Sequence, residues 1–364
     1  MARIVIVTWD GGGNVPPALA IATELGSRGH AVRVLGHASQ RPAIEAAGLQ
    51  VVPPRETRDF SAGGTHSDRE LAATFGDRGT GRDLRAELAR HPADLVLVDA
   101  LTLGAMDAAR ASGVRYAVLE HFFDEYYQRL LAGPLGLVLR ARGLRPGRSL
   151  RDAAVRVVTS LPELDEVRAG STVRQVGPVV SWAPRAATEP AVLVSLSTFG
   201  YAGMRERLQD VVDACSTLPA RLVVTTGPHI DPAALRTPDG VEVHRFVPHA
   251  LLMSRATVFL GHGGHGSAMT ALAHDLPVVV LPMDPRADHV TVGRSIERAG
   301  AGLLLAPDAG PGAIAHAVGS MLDDGPHRAE AARLGALVRG CGGAAGAADA
   351  LEVALGDRAT LSGE

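Results

Sequence analysis

The residues Val258-Phe259-Leu260-Gly261-His262-Gly263-Gly264-His265-Gly266-Ser267-Ala268-Met269-Thr270-Ala271-Leu272-Ala273 decide how this chain is read. An apolar run ends in glycines, imidazoles and a hydroxyl, and then continues as a helical stretch. The first N–H groups of a helix have no internal partner, and its dipole favours negative charge there, so such a turn builds an anion site. Gly263, Gly264 and Gly266 let a phosphate approach the backbone closely. His262, His265 and Ser267 add donors. A tight glycine turn in an ordinary α/β protein would share these glycines, and the neighbouring residues must separate the two readings.

On either side of this turn, short β-branched runs alternate with helical segments, the pattern of parallel sheets with crossover helices. Strands are expected at Ile4–Thr8, Val32–Gly36, Leu49–Val52, Leu95–Val98, Tyr116–Leu119 and Val155–Val158. A second set is expected at Val192–Leu196, Arg221–Thr225, Val241–His244, Val258–Leu260, Val278–Leu281 and Gly302–Leu304. Helices are expected at Pro16–Ser27, Met204–Cys215, Ala268–His274 and Val290–Arg298, and a mobile loop over Arg55 to Gly81. The proline-rich stretch from Gly177-Pro178 to Pro190 reads as a linker. The expected organisation is therefore a first domain over 1–177, a linker over 178–190, a second domain over 191–343 and a C-terminal helix and tail over 344–364. Two doubly wound halves would place a cleft where strand C-termini converge.

Composition narrows the class. A chain of 364 residues, 46% hydrophobic, suits two domains with buried cores. The net charge of −3 gives no general attraction to nucleic acid. Arginine supplies all 36 basic residues. Two distant cysteines, Cys215 and Cys341, indicate neither a disulfide framework nor a zinc site. The apolar start Ile4–Val7 is too short for a signal peptide, and no run approaches the ~18–20 residues that span a bilayer. A cytoplasmic protein is expected.

The stretch from Phe246 to Gly302 resembles the nucleotide-sugar signature of family 1 glycosyltransferases, inverting enzymes of the GT-B fold with two Rossmann-like α/β domains. Blocks match in order: Phe246-Val247-Pro248-His249, the His262–Ser267 turn, Ala271 to Pro282, and Asp288-His289. Val192–Thr198 and Val223–Gly227 resemble the family's first two strands and loops of the second domain. The resemblance implies a nucleotide-sugar donor, with His262 and the backbone over Gly264, His265, Gly266 and Ser267 holding its diphosphate. It implies that Val247 offers its backbone to the base beside Phe246, that Thr198 and Thr226 border phosphates and base, and that Asp288 and His289 bind sugar hydroxyls. Where UDP-using members carry a glutamate for the ribose, this chain has Thr270, which resembles the branch using dTDP-deoxysugars. No cofactor and no metal are expected, and no D-x-D pair stands beside the turn.

Inverting transfer needs a base for the acceptor's proton. Relatives carry a histidine in the turn after the first strand, where this chain has Asn14, which can orient an acceptor but not deprotonate it. Asp99 matches the family's partner aspartate. His121, Asp10 and Asp99 itself are the candidate bases, in that order of preference for the first two. The aromatics Phe122, Phe123, Tyr126 and Tyr127 would line a pocket for a small hydrophobic acceptor, or else pack inserted helices. The arginines between Arg129 and Arg151 read as a solvated face before a membrane contact. The expected function is sugar transfer to a small apolar natural product, in a chain for which a homodimer stays open. An epimerase or cell-wall sugar transferase on the same fold is the alternative, and Asn14 also keeps open a catalytically silent nucleotide-sugar-binding partner protein.

Overall fold

The computed structural model describes residues 1–168, 170–184, 186 and 189–356. The expected linker lies partly outside the described residues, at 185, 187 and 188, as does the tail over 357–364. The chain divides into two compact units, one comprising Met1–Ala62, His66–Val179 and Gly342–Glu364, the other Gly63–Thr65 and Val180–Cys341.

Unit 1 is built on strands β1 (Arg3–Val7), β2 (Ala31–Leu35), β3 (Gln50–Val52), β4 (Leu95–Asp99), β5 (Tyr116–Glu120), β6 (Val155–Val158) and β7 (Val173–Gln175). They form one sheet in the order β3-β2-β1-β4-β5-β6-β7. Every pairing is parallel, and β1 lies between β2 and β4 with Ile4 opposite both Val32 and Leu95. β4 and β5 are buried along their whole length, which is why their sequences run apolar without alternation. The chain reverses direction across the sheet between β1 and β4, and that switch point opens at the strand C-termini. The last helix, Gly343–Gly356, packs Ala347, Leu351 and Ala354 into the same core as Ile4 and Ile21. Arg28 at the end of the helix Val15–Ser27 binds Asp349 and Glu352 at 2.6 and 2.8 Å and fastens the two helices together.

Unit 2 repeats the plan with β8 (Ala191–Ser195), β9 (Arg221–Thr225), β10 (Glu242–His244), β11 (Val258–Gly261), β12 (Val278–Val280) and β13 (Gly302–Leu304). Its order is β10-β9-β8-β11-β12-β13, again wholly parallel, with the reversal between β8 and β11. Val194, Leu208, Val212, Leu260, Ile314 and Val318 form the core between sheet and helices.

Two local expectations need correction. The stretch Arg55 to Gly81 is not a loop throughout: it contains the helix Asp68–Phe75 and the start of Arg78–Arg90. Ser67 and Glu70 form a reciprocal capping box, and Asp77 accepts from the N–H groups of Gly79 and Thr80. Strand β7 was not expected. It is three residues long and its residues are exposed or half-buried, so it carries no apolar pattern to read.

Candidate active site

In unit 2, the loops after β8, β9, β10 and β11 all leave the same edge of the sheet, with the β8 and β11 loops flanking the reversal. The helix His265–Ala273 begins directly at the β11 turn, three residues earlier than the apolar pattern suggests. Its first closed bond is from the Ala268 N–H to the Gly264 carbonyl, so the amides of the first turn have no acceptor within the helix. Gly263 has φ +91°, and a Cβ there would lie 2.6 Å from Val280 Cγ1 and 2.8 Å from the His289 carbonyl oxygen. A Cβ on Gly264 would lie 2.4 Å from His262 Nε2. Gly264 therefore leaves room for the His262 ring at the helix start, and Gly263 for the close approach of the turn to Val280 and the His289 backbone.

Two further rings stand against His262. His289 stands edge-on to it with centroids 4.6 Å apart, and Tyr201 lies 6.4 Å away. Burial, reinforced by His289 and His249, holds the His262 ring well below the ordinary imidazole range. Burial also pulls His289 down to about 4, with Asp284 opposing, and lowers His249. The cluster is thus uncharged at neutral pH, and the helix start supplies the positive potential. His249 Nε2 lies 3.0 Å from Ser195 Oγ at the end of β8. Neither Ser195 nor Tyr201 was singled out from the sequence, and only a map of which strand ends meet could have found them.

The other expected donor residues separate. Phe246 is 72% exposed on the loop after β10, an open aromatic face, and Val247 follows it half-buried. Thr198 is exposed, and its carbonyl lies 2.8 Å from His229 Nε2. Ser267 and Asp288 are half-buried at the starts of their helices. Thr226 is buried and its hydroxyl donates to the Gly227 carbonyl, which leaves little of it for a base. Thr270 donates its hydroxyl to the Gly266 carbonyl at 2.7 Å. His289 is buried, and both of its ring nitrogens are occupied inside the unit, where a sugar contact was expected.

In unit 1, the reversal between β1 and β4 gathers three of the four expected catalytic residues. Asn14 precedes the helix Val15–Ser27, but its side chain turns back rather than capping it. Its Nδ2 donates to Trp9 O at 2.8 Å, Asp99 Oδ2 at 3.0 Å and Thr8 Oγ1 at 3.2 Å, while its Oδ1 accepts from the Gly11 N–H. Asp99, buried at the end of β4, also accepts from the Leu101 N–H. His121 follows β5 and brings Nε2 to 3.2 Å from the same Asp99 Oδ2, off the line of a hydrogen bond. Asp10 stands apart: it is half-buried and accepts from Ser39 at 2.7 Å.

Phe122, Phe123 and Tyr127 are buried, and Tyr127 donates to the Ala100 carbonyl, so packing accounts for them and only Tyr126 retains a partly open face. Behind His121 lies a buried network that the sequence did not show. Arg156 donates to Glu120 at 2.6 Å and to Asp124 at 2.7 Å. Burial pushes the Glu120 carboxyl up to about 7 against the pull of Arg156. Arg140, Arg145, Arg148 and Arg151 border an open groove beside the helices Asp124–Ala132 and Pro146–Arg151. Among the described residues, no helix is long and apolar enough to cross a membrane, and no group of three or more His, Cys, Asp or Glu is placed to hold a metal ion.

Two doubly wound parallel-sheet units, with an open helix start at the reversal of the second, are the arrangement of the GT-B fold. The comparisons agree with that fold. Residues 209–339 match the erythromycin biosynthesis protein CIII-like C-terminal domain. The 4'-demethylrebeccamycin synthase of Lentzea aerocolonigenes is 28% identical over 92% of this chain and 94% of its own. Among solved structures, the calicheamicin glycosyltransferase CalG4 superposes with a TM-score of 0.79 at 24% identity, covering 98% of both chains. The glycosyltransferase VinC, solved in complex with dTDP, gives a TM-score of 0.72 at 20% identity over 97% of this chain and 99% of its own. The chain has the GT-B fold and is similar over nearly its whole length to natural-product glycosyltransferases.

Proposed function

We propose that this enzyme transfers a sugar, with inversion, from a nucleoside diphosphate donor to a small apolar natural product, using His121 as the base. The observation that carries the catalytic assignment is the meeting of His121 and Asn14 on one oxygen of the buried Asp99. His121 Nε2 faces the carboxylate, which leaves Nδ1 to accept the acceptor's proton. Asp99 stabilises the imidazolium that results, as a buried carboxylate does for a catalytic histidine. Asn14 holds Asp99 in place with its amide and takes no proton. Asp10, engaged with Ser39, is set aside as the base.

On the donor side, the diphosphate sits at the start of the helix His265–Ala273, where the Gly266 and Ser267 amides and the His262 ring meet developing negative charge. Phe246 stacks on the base, Val247 pairs with it through its backbone, and Asp288 receives sugar hydroxyls. No resident metal or cofactor is assigned to the reaction. A dTDP-sugar is the favoured donor because Thr270 brings no carboxylate to a ribose 2′-hydroxyl, and VinC was solved with dTDP. A UDP-sugar remains the competing donor, and a catalytically silent binder the competing class.

His121→Ala is expected to lower turnover by roughly 10²–10⁴ while calorimetric affinity for dTDP stays within about twofold of the native value. Undiminished turnover would remove His121 as the base. Thr270→Glu loses only a hydroxyl bonded to its own helix, so the fold should tolerate it. The ratio of UDP to dTDP affinity should then rise by roughly tenfold, about one charge-assisted hydrogen bond. An unchanged ratio would remove the argument from Thr270.

A further inference from the structure

We propose that Tyr201 and His289 are positioning residues that fix the His262 ring over the helix start, and that His289 works through His262 rather than by touching the donor sugar. The inference rests on the nucleotide reading of the unit 2 site.

His262 cannot hold its own orientation. Its Nδ1 is buried with no hydrogen-bond partner, so the ring is kept in place by what packs on it. Of the two neighbouring rings His289 stands nearer, edge-on at an interplanar angle of 88°. The hydrogen bonds of His289 define it in turn. The Met283 and Asp284 N–H groups both point at Nδ1, 3.4 Å away, so that nitrogen keeps its lone pair and the proton sits on Nε2. Nε2 lies 3.3 Å from Tyr201 Oη, which accepts that proton's hydrogen bond. The Tyr201 ring stands 5.3 Å from His289 at 79° and also reaches His262.

The three side chains come from three separate places: the loop after β8, the turn after β11 and the start of the helix His289–Arg298. Gly263 brings the β11 turn against the His289 backbone so closely that a Cβ would not fit. A shift of His289 is therefore passed to the turn and to the ring above it. Removing the Tyr201 hydroxyl leaves the His289 Nε2–H without its acceptor in a buried site, and the ring reorients to find another.

The test is a double-mutant cycle read by calorimetric titration of dTDP, with UDP as a second probe. Tyr201→Phe should weaken dTDP binding by roughly five- to twentyfold, and in a His262→Ala background the same change should cost less than about twofold. A cost that persists undiminished in the His262→Ala background overturns the proposal, because Tyr201 would then act without His262. If His262→Ala binds too weakly to titrate, ring-proton NMR of His262 decides. Tyr201→Phe must move those resonances in the ligand-free protein, and an unmoved ring overturns the proposal. Imidazole ¹⁵N shifts must also show the Nε2–H tautomer at His289. Failure of the native protein to bind either nucleotide would instead defeat the nucleotide reading, and this inference with it.

Discussion

Asn14 shows what a single side chain decides. An amide in place of an imidazole removes a base from the first turn of unit 1, yet the residue keeps a structural duty. It donates to the buried Asp99 and accepts from Gly11, tying the turn after β1 to the end of β4. Asn14→Ala would leave the Gly11 N–H unpaired and withdraw one donor from a carboxylate that is 1% exposed. The cost should be about 1–3 kcal/mol, visible as a lower urea midpoint at unchanged slope. A midpoint within error of the native one would show that water replaces the amide. Asn14 and Asp99 were legible as candidates through the family resemblance, and His121 because it follows a strand whose end converges with others in this fold. Their shared carboxylate oxygen was not legible, since it depends on β1, β4 and β5 being neighbours in register. Tyr201 and Glu120 were not legible either: they lie in no motif, and their roles come from what surrounds them in space.

The strand–turn–helix element around His262 could be read almost whole from residue types, because glycine, histidine and serine at a strand end have few other uses. Reading it missed the helix start by three residues, since the first turn is made of glycine and polar residues that carry no apolar period. Its two central glycines should fail differently. Gly263 has a left-handed φ, and a Cβ there meets the Val280 side chain and the His289 backbone, neither of which can move cheaply. Gly263→Ala should therefore destabilise the protein, by about 1–3 kcal/mol for a strained backbone position. Gly264 has an ordinary extended φ, and the three atoms nearest to its Cβ would all belong to the His262 ring. A ring can turn away. Gly264→Ala should keep native thermal stability and lose most of the affinity for dTDP. The reverse pattern, with Gly264→Ala the less stable of the two, would show that the turn is rigid for another reason.

At the scale of the whole molecule, alternation of strand and helix disclosed two parallel sheets, but not that the chain returns to its first unit. The last helix is rich in alanine and glycine, so its sequence does not say which core receives Ala347 and Leu351. The division into units has a consequence in acid. In unit 2, His289 falls from 6.5 to about 4 on burial, with His249 and His262 lowered in the same direction. The unfolded chain then binds protons more tightly, so that contribution is present above pH 6.5 and is lost as pH falls toward 4. In unit 1, Glu120 rises from 4.5 to about 7, so the folded form holds the proton. Its contribution is present below pH 4.5 and is withdrawn as pH climbs to 7, while the lowered His37 works against it in the same unit. His289 and Glu120 are each worth about 3 kcal/mol across their windows. Glu120→Gln cannot titrate, so its stability relative to the native protein should improve steadily from pH 5 to pH 7, by up to about 3 kcal/mol. Any constant cost of placing an amide beside Arg156 is set apart, because it does not vary with pH. Calorimetric scans of both proteins at half-unit intervals measure the difference. A difference that stays level across the window would mean that Arg156 keeps Glu120 ionised, and that no proton is stored behind His121.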